Sequence, residues 1–526
     1  MIRFLTVFFL SFSTLVFSAG YNILVSSEIT IDSPFVEKSD RIRAYTQYCM
    51  GVLSEKKENV TNALKYFIAA LKNDPSSGAI RLKLGALYLK RKEYEKALSI
   101  IKEALVTPHT DLFLAHFMLG LVNSQLGNSA LALKEYEVAR EKNPRNIGIY
   151  LTLGDLYTQK KDFSNARSVY EAGVNKNPDV AMLWFKLGLL YGKEKRYNAA
   201  INALKKAIQL KEDLFHAHLG LALIYEATQK TLSAIKEYHL ILKFAPLNVD
   251  IYKRLASLYH TQKEFDKAIK IYSLLIILDS EDIANYLSLS YLFLKKGHTD
   301  RAIIILEEAS QKKLKSVELF FLLGLSYEHL GDDKMSIAKT DIALTYYKKA
   351  ITFFEKGTII DSDNDLLYFH IGVCYEKAGL FDEAQKTFLK IIDDNPNHAD
   401  AYNYLGYLWI EKGINLNQAI IFIKKALSLE PENGEYLDSL GWALYKKGNV
   451  EEALYYLKKA YQKIPSDAVI AYHLGEAFLK AGDWKNAVKT WYNSLENDPT
   501  NVPLQKRIQE LENKYNNQSR KKSPAS

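Results

Sequence analysis

Disulfide chemistry is all but absent from this chain, which has only Cys49 and Cys374 in 526 residues. That excludes a cysteine-stapled scaffold, so stability has to come from packing. Proline is scarce at 12 residues and glycine at 25, which leaves helix-rich structure with short, regular punctuation. Charge of one sign is lacking too. The net charge of +8 is the small difference between 69 basic and 61 acidic residues, a mixed, solvated surface. Arg520, Lys521 and Lys522 form a small basic cluster near the end and read as part of a disordered tail.

Several reactive patterns are also missing. The chain has no Gly-rich lysine loop for phosphates, no paired cysteines at metal-ligand spacing and no HExxH. Residues 361–365 open like a calcium loop, but Leu366 stands where the turn needs glycine and Gly372 where a bidentate glutamate belongs. His216 and His218 are two apart and point in different directions on a helix. No catalytic residues, metal ligands or cofactor are therefore expected.

What is present begins with an export signal. Arg3 is followed by an uncharged run from Phe4 to Phe17 and the small residues Ser18, Ala19 and Gly20. That order matches a secretory signal peptide over 1–20, which predicts an exported, periplasmic or envelope-associated protein with no membrane insertion after cleavage. The alternative is a retained anchor, since no charge appears until Glu28. Residues 21–43, with Pro34, read as a linker carrying a short extended stretch around Ile29 and Ile31.

From residue 44 one pattern recurs. A small residue appears at 51, 85, 120, 154, 188, 222, 256, 290, 324, 372, 406, 441 and 475, at steps of 34 or 35 with a single step of 48. Behind it come Ala, an aromatic or aliphatic residue, Ala and Pro: Ala63, Phe67, Ala70 and Pro75 after Gly51, and Ala132, Tyr136, Ala139 and Pro144 after Gly120. Tyr150, Leu153, Gly154 and Tyr157 share one helical face. The glycine admits a partner helix whose face is Ala166, Tyr170 and Gly173, and Pro178 ends the pair. Pairs of this kind cannot bury their apolar faces alone and must stack.

The period and pattern resemble the tetratricopeptide repeat (TPR). The resemblance implies an all-α, right-handed superhelical solenoid of about 13 helix-turn-helix repeats over 44–500, a capping helix over 501–515 and a disordered tail over 516–526. Cys49 and Cys374 fall nine repeats apart in such an array and should not pair. The 14-residue surplus is placed in the second helix of repeat 9, about 333–350, as a projection of about 20 Å, either a tolerated insertion or a docking arm.

Family resemblance also implies that the first helices line an inner groove that takes extended protein segments. Its candidate partner-binding residues are Phe117, Phe185, Phe321, Phe369, Tyr407, Trp442 and Tyr472. The same residues could instead serve only helix packing. Lys253 and Arg254 are the main inner cations, so nucleic acid is not an expected partner. The segment from Asp400 to Leu454 resembles bacterial envelope TPR proteins, among them the lipoprotein adaptor of a periplasmic carboxyl-terminal processing protease. The lipidation cysteine of that adaptor has no counterpart here. These likenesses imply a non-catalytic adaptor whose partners are proteins, either an envelope protease or its substrates. The alternative is a scaffold for a secretion or polysaccharide-export complex.

Overall fold

The computed structural model describes residues 38–521 apart from 498 and 500. The signal segment, Ile29, Ile31 and most of the linker lie outside these residues. The described residues form 27 helices and no strand: thirteen antiparallel pairs followed by a final helix, Val502–Lys521. They divide into two compact units, one through Leu258 and one from Tyr259.

Repeat 4 shows why the sequence folds as it does. Asn146 precedes the first helix, Ile147–Gln159, and its Oδ1 accepts from the Ile149 N–H at 3.2 Å. This side-chain acceptor satisfies a donor that the first turn would leave open. The helix stops at a tight turn where Lys161 adopts a left-handed φ of 61°, and Asp162 then caps Phe163–Lys176. The aromatic four before the small residue pins the turn between repeats. Tyr150 donates to the Pro144 carbonyl at 2.7 Å, Trp184 to Pro178 at 2.9 Å and Tyr252 to Pro246 at 3.1 Å.

Within each pair the small residue meets a large one on the facing helix. A Cβ on Gly154 would lie 2.3 Å from the Tyr170 ring, and one on Gly475 would lie 2.2 Å from Trp491 Nε1. Such gaps exclude any side chain unless the helices move apart. Tyr136, Tyr170 and Trp491 are consequently among the most deeply buried residues.

The long repeat is built differently from the expectation. Its first helix is Val317–Ser336 and its second Thr340–Thr358, 20 and 19 residues against 13 and 14 in repeat 4. The surplus is thus shared between both helices as a longer hairpin, not spent on a projecting second helix. The physical reason is pairing. Gly324 faces Phe354, in register with the neighbouring repeats, while the added turns bring a second pair, Gly331 on Tyr347. A helix extended alone would have exposed the apolar face that its partner now covers.

Two ends also differ from the sequence reading. The first helix begins at Lys38, so 38–43 is helical. The final helix runs to Lys521, past the expected end of the cap. Leu504 and Ile508 dock it on Val488 and Trp491, and once a helix is nucleated each further residue adds a hydrogen bond at little cost.

Candidate functional site: the inner face of the first helices

In both units consecutive first helices touch directly. Ile147–Gln159 packs on Ala181–Lys193, and Gly434–Lys447 packs on both Ala399–Lys412 and Ala468–Lys480. Among the described residues no two consecutive second helices pack to a comparable extent. The first helices therefore crowd the inner side of each unit, and their side chains build its inner face.

In the unit ending at Leu258, carboxylates on this face meet strong cations from the next repeat. Lys186 Nζ lies 2.9 Å from both Asp155 oxygens, and Arg254 lies 3.5 Å from Glu226. Lys83 approaches Glu55 at 3.9 Å. Tyr170 and Tyr238 donate to Asp155 and Glu226 from the second helices. Burial first, and then these carboxylates, push both phenols well up.

The unit from Tyr259 holds its carboxylates in another way. Glu328, almost fully buried, is gripped by His370 Nδ1 at 2.9 Å and Lys377 at 3.0 Å, while Lys377 also reaches Asp332 at 2.9 Å. Burial pushes the Glu328 carboxyl up, but His370 and Lys377 outweigh it and hold the group below its ordinary range. The next carboxylates meet neutral donors. Tyr404 donates to Glu376 at 3.3 Å and the Trp442 Nε1–H to Glu411 at 2.8 Å. Asp438 pairs with His473 Nδ1 at 2.8 Å. Glu476 is held by Arg507 of the final helix at 2.9 Å.

The seven residues singled out by sequence fall into two classes. Phe117 and Phe185 are 1% exposed and Trp442 is 6% exposed, so these three are packing groups. Phe117 leans on Tyr136 with centroids 5.6 Å apart. Trp442 stacks on His473 at 4.0 Å and on Tyr445 at 4.7 Å. Phe321, Phe369, Tyr407 and Tyr472 are half-buried and keep part of their rings in solvent. His370 lies between Phe321 and Phe369, at 5.4 and 6.1 Å. Burial and then Glu411 raise the Tyr407 phenol, while Tyr472 is raised by burial and then by Glu476, with a smaller share from Glu411. Sequence reasoning missed the carboxylates and histidines among these aromatics. The signal was there, since Glu55, Glu226, Glu328 and Glu376 all stand four residues after the small residue.

Among the described residues, no group of three His, Cys, Asp or Glu is placed to hold a metal ion. No helix there is long and apolar enough to cross a membrane. The face offers aromatic edges, carboxylates and hydrogen-bond acceptors. Cys374 is buried, which pushes its thiol well up, away from the reactive thiolate.

Repeated helix pairs with an inner face of this kind define a helical-repeat interaction scaffold, a fold that is generally non-catalytic. Tetratricopeptide-repeat family models match residues 54–109, 147–179, 182–214 and 367–398. The model of subunit 3 of the anaphase-promoting complex, cyclosome, matches 412–491. The chain is a tetratricopeptide-repeat protein. The BBSome complex member BBS4 of Bos taurus is 29% identical over 127 residues, 24% of either chain. The TPR repeat-containing protein PA4667 of Pseudomonas aeruginosa is 32% identical over 88 residues, 17% of this chain and 15% of its own. This chain thus spans about a quarter or less of the length of these curated relatives. Among solved structures, the APC/C hetero-tetramer Cut9-Hcn1 is similar at 14% identity with a TM-score of 0.39, over 89% of this chain and 96% of that one.

Proposed function

We propose that this protein is a non-catalytic adaptor of the cell envelope that holds extended segments of partner proteins along the inner face of its second unit. The observation that carries this reading is the set of half-buried aromatics, Phe321, Phe369, Tyr407 and Tyr472, on four of the last five first helices. Aromatics fixed by packing give contact area at low entropic cost, and a few such anchors hold most of the energy of an interface. The naming of the bovine relative as a complex member fits an interaction role. The envelope assignment rests on the signal-like residues 1–20, and delivery to a protease rests on the likeness of 400–454 to envelope adaptors.

The test is crosslinking in intact cells, recovery of the full chain and mass spectrometry of its partners, with N-terminal sequencing of the recovered protein. A processed N-terminus and an envelope protease or its substrates are the expected result. Recovery of export-machine components alone would replace the adaptor by a scaffold. An intact Met1 in a membrane fraction would replace the cleaved signal by an anchor.

A further inference from the structure

The recess around Tyr407 has a chemistry of its own. Its hydroxyl makes no hydrogen bond among the described residues, and three carboxylates, Glu411, Asp438 and Glu376, lie close enough to raise the phenol further beyond the effect of burial. Among the described residues neither Glu376 nor Glu411 has a cation within ion-pair distance; each takes one neutral donor, Tyr404 or Trp442. Two acceptors in the same place are buried and empty-handed. Asp438 is only 5% exposed, and its Oδ1 has no hydrogen-bond partner although Oδ2 meets His473. Asn403 Oδ1 is likewise buried without a partner. Asn403 lies four residues before Tyr407, on the same helical face. Asp438 and Asn403 occupy the same position, three before the small residue, on first helices that pack directly together.

A buried acceptor left without a donor costs free energy that a ligand donor would recover. Acceptors, uncompensated negative charge and aromatic walls together suit an organic cation with several N–H donors. The aromatic row continues to either side, at Phe369 and Tyr472, which suits a cation carried on a chain. We propose that the Tyr407 recess receives a lysine or arginine side chain of the bound protein segment. This deepens the adaptor reading and rests on it.

The test uses the full chain and a displayed library of random twelve-residue peptides as probe, followed by affinity measurement on the best synthetic peptide. Selected sequences should share a lysine or arginine. Replacing that residue by glutamine should weaken binding at least tenfold, and so should the double variant Glu376→Gln, Glu411→Gln. Neither carboxylate is fully buried, so the double variant should melt like the parent. Phe369→Ala and Tyr472→Ala should weaken binding whatever the charge. Peptides that lose affinity with the aromatic variants but carry no basic residue, or ignore the glutamine variants, would overturn the cation recess and leave the adaptor face standing. Peptides indifferent to all the variants, or no peptide retained at all, would count against both.

Discussion

The two units place carboxylates on the inner face of the same kind of helix and answer them in different ways. Up to Leu258 the partners are Lys83, Lys186 and Arg254, each from the following repeat. From Tyr259 Lys377 and Arg507 still hold Glu328, Asp332 and Glu476, but Glu376, Glu411 and Asp438 meet a tyrosine, a tryptophan indole and a histidine. A lysine or arginine partner cancels the charge of the carboxylate and staples neighbouring repeats together. A phenol or indole donor satisfies one oxygen and leaves the charge in place. One fold thus yields a neutralised face in the first unit and a more acidic, aromatic one in the second, so the chemistry of this face is set by side-chain choice at recurring positions.

The largest expected effect tests whether Trp442 belongs to packing. Its ring is buried and sandwiched, so Trp442→Ala should cost about 3–5 kcal/mol, measured by denaturant unfolding of the full chain. A variant as stable as the parent would return Trp442 to the exposed binding face. Next comes the shared frame. A Cβ on Gly188 would meet Leu204 Cγ at 2.7 Å, and one on Gly441 would meet Leu457 Cγ at 2.6 Å. Gly188→Leu and Gly441→Leu should each cost about 1–3 kcal/mol or more through overpacking. Markedly unequal costs would break the equivalence of the two units' scaffolds.

A third prediction uses acid and base to set the units against each other. The Glu328 carboxyl is held below its ordinary 4.5, so its contribution is present above pH 4.5 and lost as pH falls through its folded value. Glu328→Gln should therefore be less stable than the parent by about 1–3 kcal/mol near neutrality, and the gap should close in acid. His218 behaves in the opposite sense. Its hydrogen bond to Glu237, aided by the Glu212 carbonyl, raises it above 6.5 against the effect of burial. Its contribution is full below pH 6.5 and lost as pH rises through the folded value. The deficit of His218→Gln should shrink toward alkaline pH in thermal melts; a gap that grows with pH would refute the assignment.

The smallest stability effect belongs to Tyr407→Phe. The hydroxyl has no partner among the described residues, so the unfolding free energy should stay within about 0.5 kcal/mol of the parent. Any loss would appear only in the affinity for a partner segment.

Much of this was legible along the chain. The period of 34 follows from Gly51 through Gly475, and the facing partner of each glycine follows from the Ala-aromatic-Ala pattern behind it. Tyr136 and Tyr170 stand in the core for that reason. The long repeat was less legible, because a 14-residue surplus fits one helix as well as two. The Gly331–Tyr347 contact decides for two. The candidate site was half legible, since aromatic character repeats at two positions, three before and one after the small residue. Whether a given ring is buried depends on its neighbours. Phe185 and Phe369 occupy the same position, yet only Phe185 is sealed.

The sequence by itself determined the repeat, the pairing of small with large residues and the aromatic bias of the first helices, because each is a local spacing rule on a helix of fixed pitch. Tertiary structure alone decided which carboxylate meets which cation. Lys186 and Asp155 stand 31 residues apart, while Lys377 and Asp332 stand 45 apart across the long hairpin. Such pairings depend on how one helix lies against the next, and that is fixed only when the apolar faces have packed.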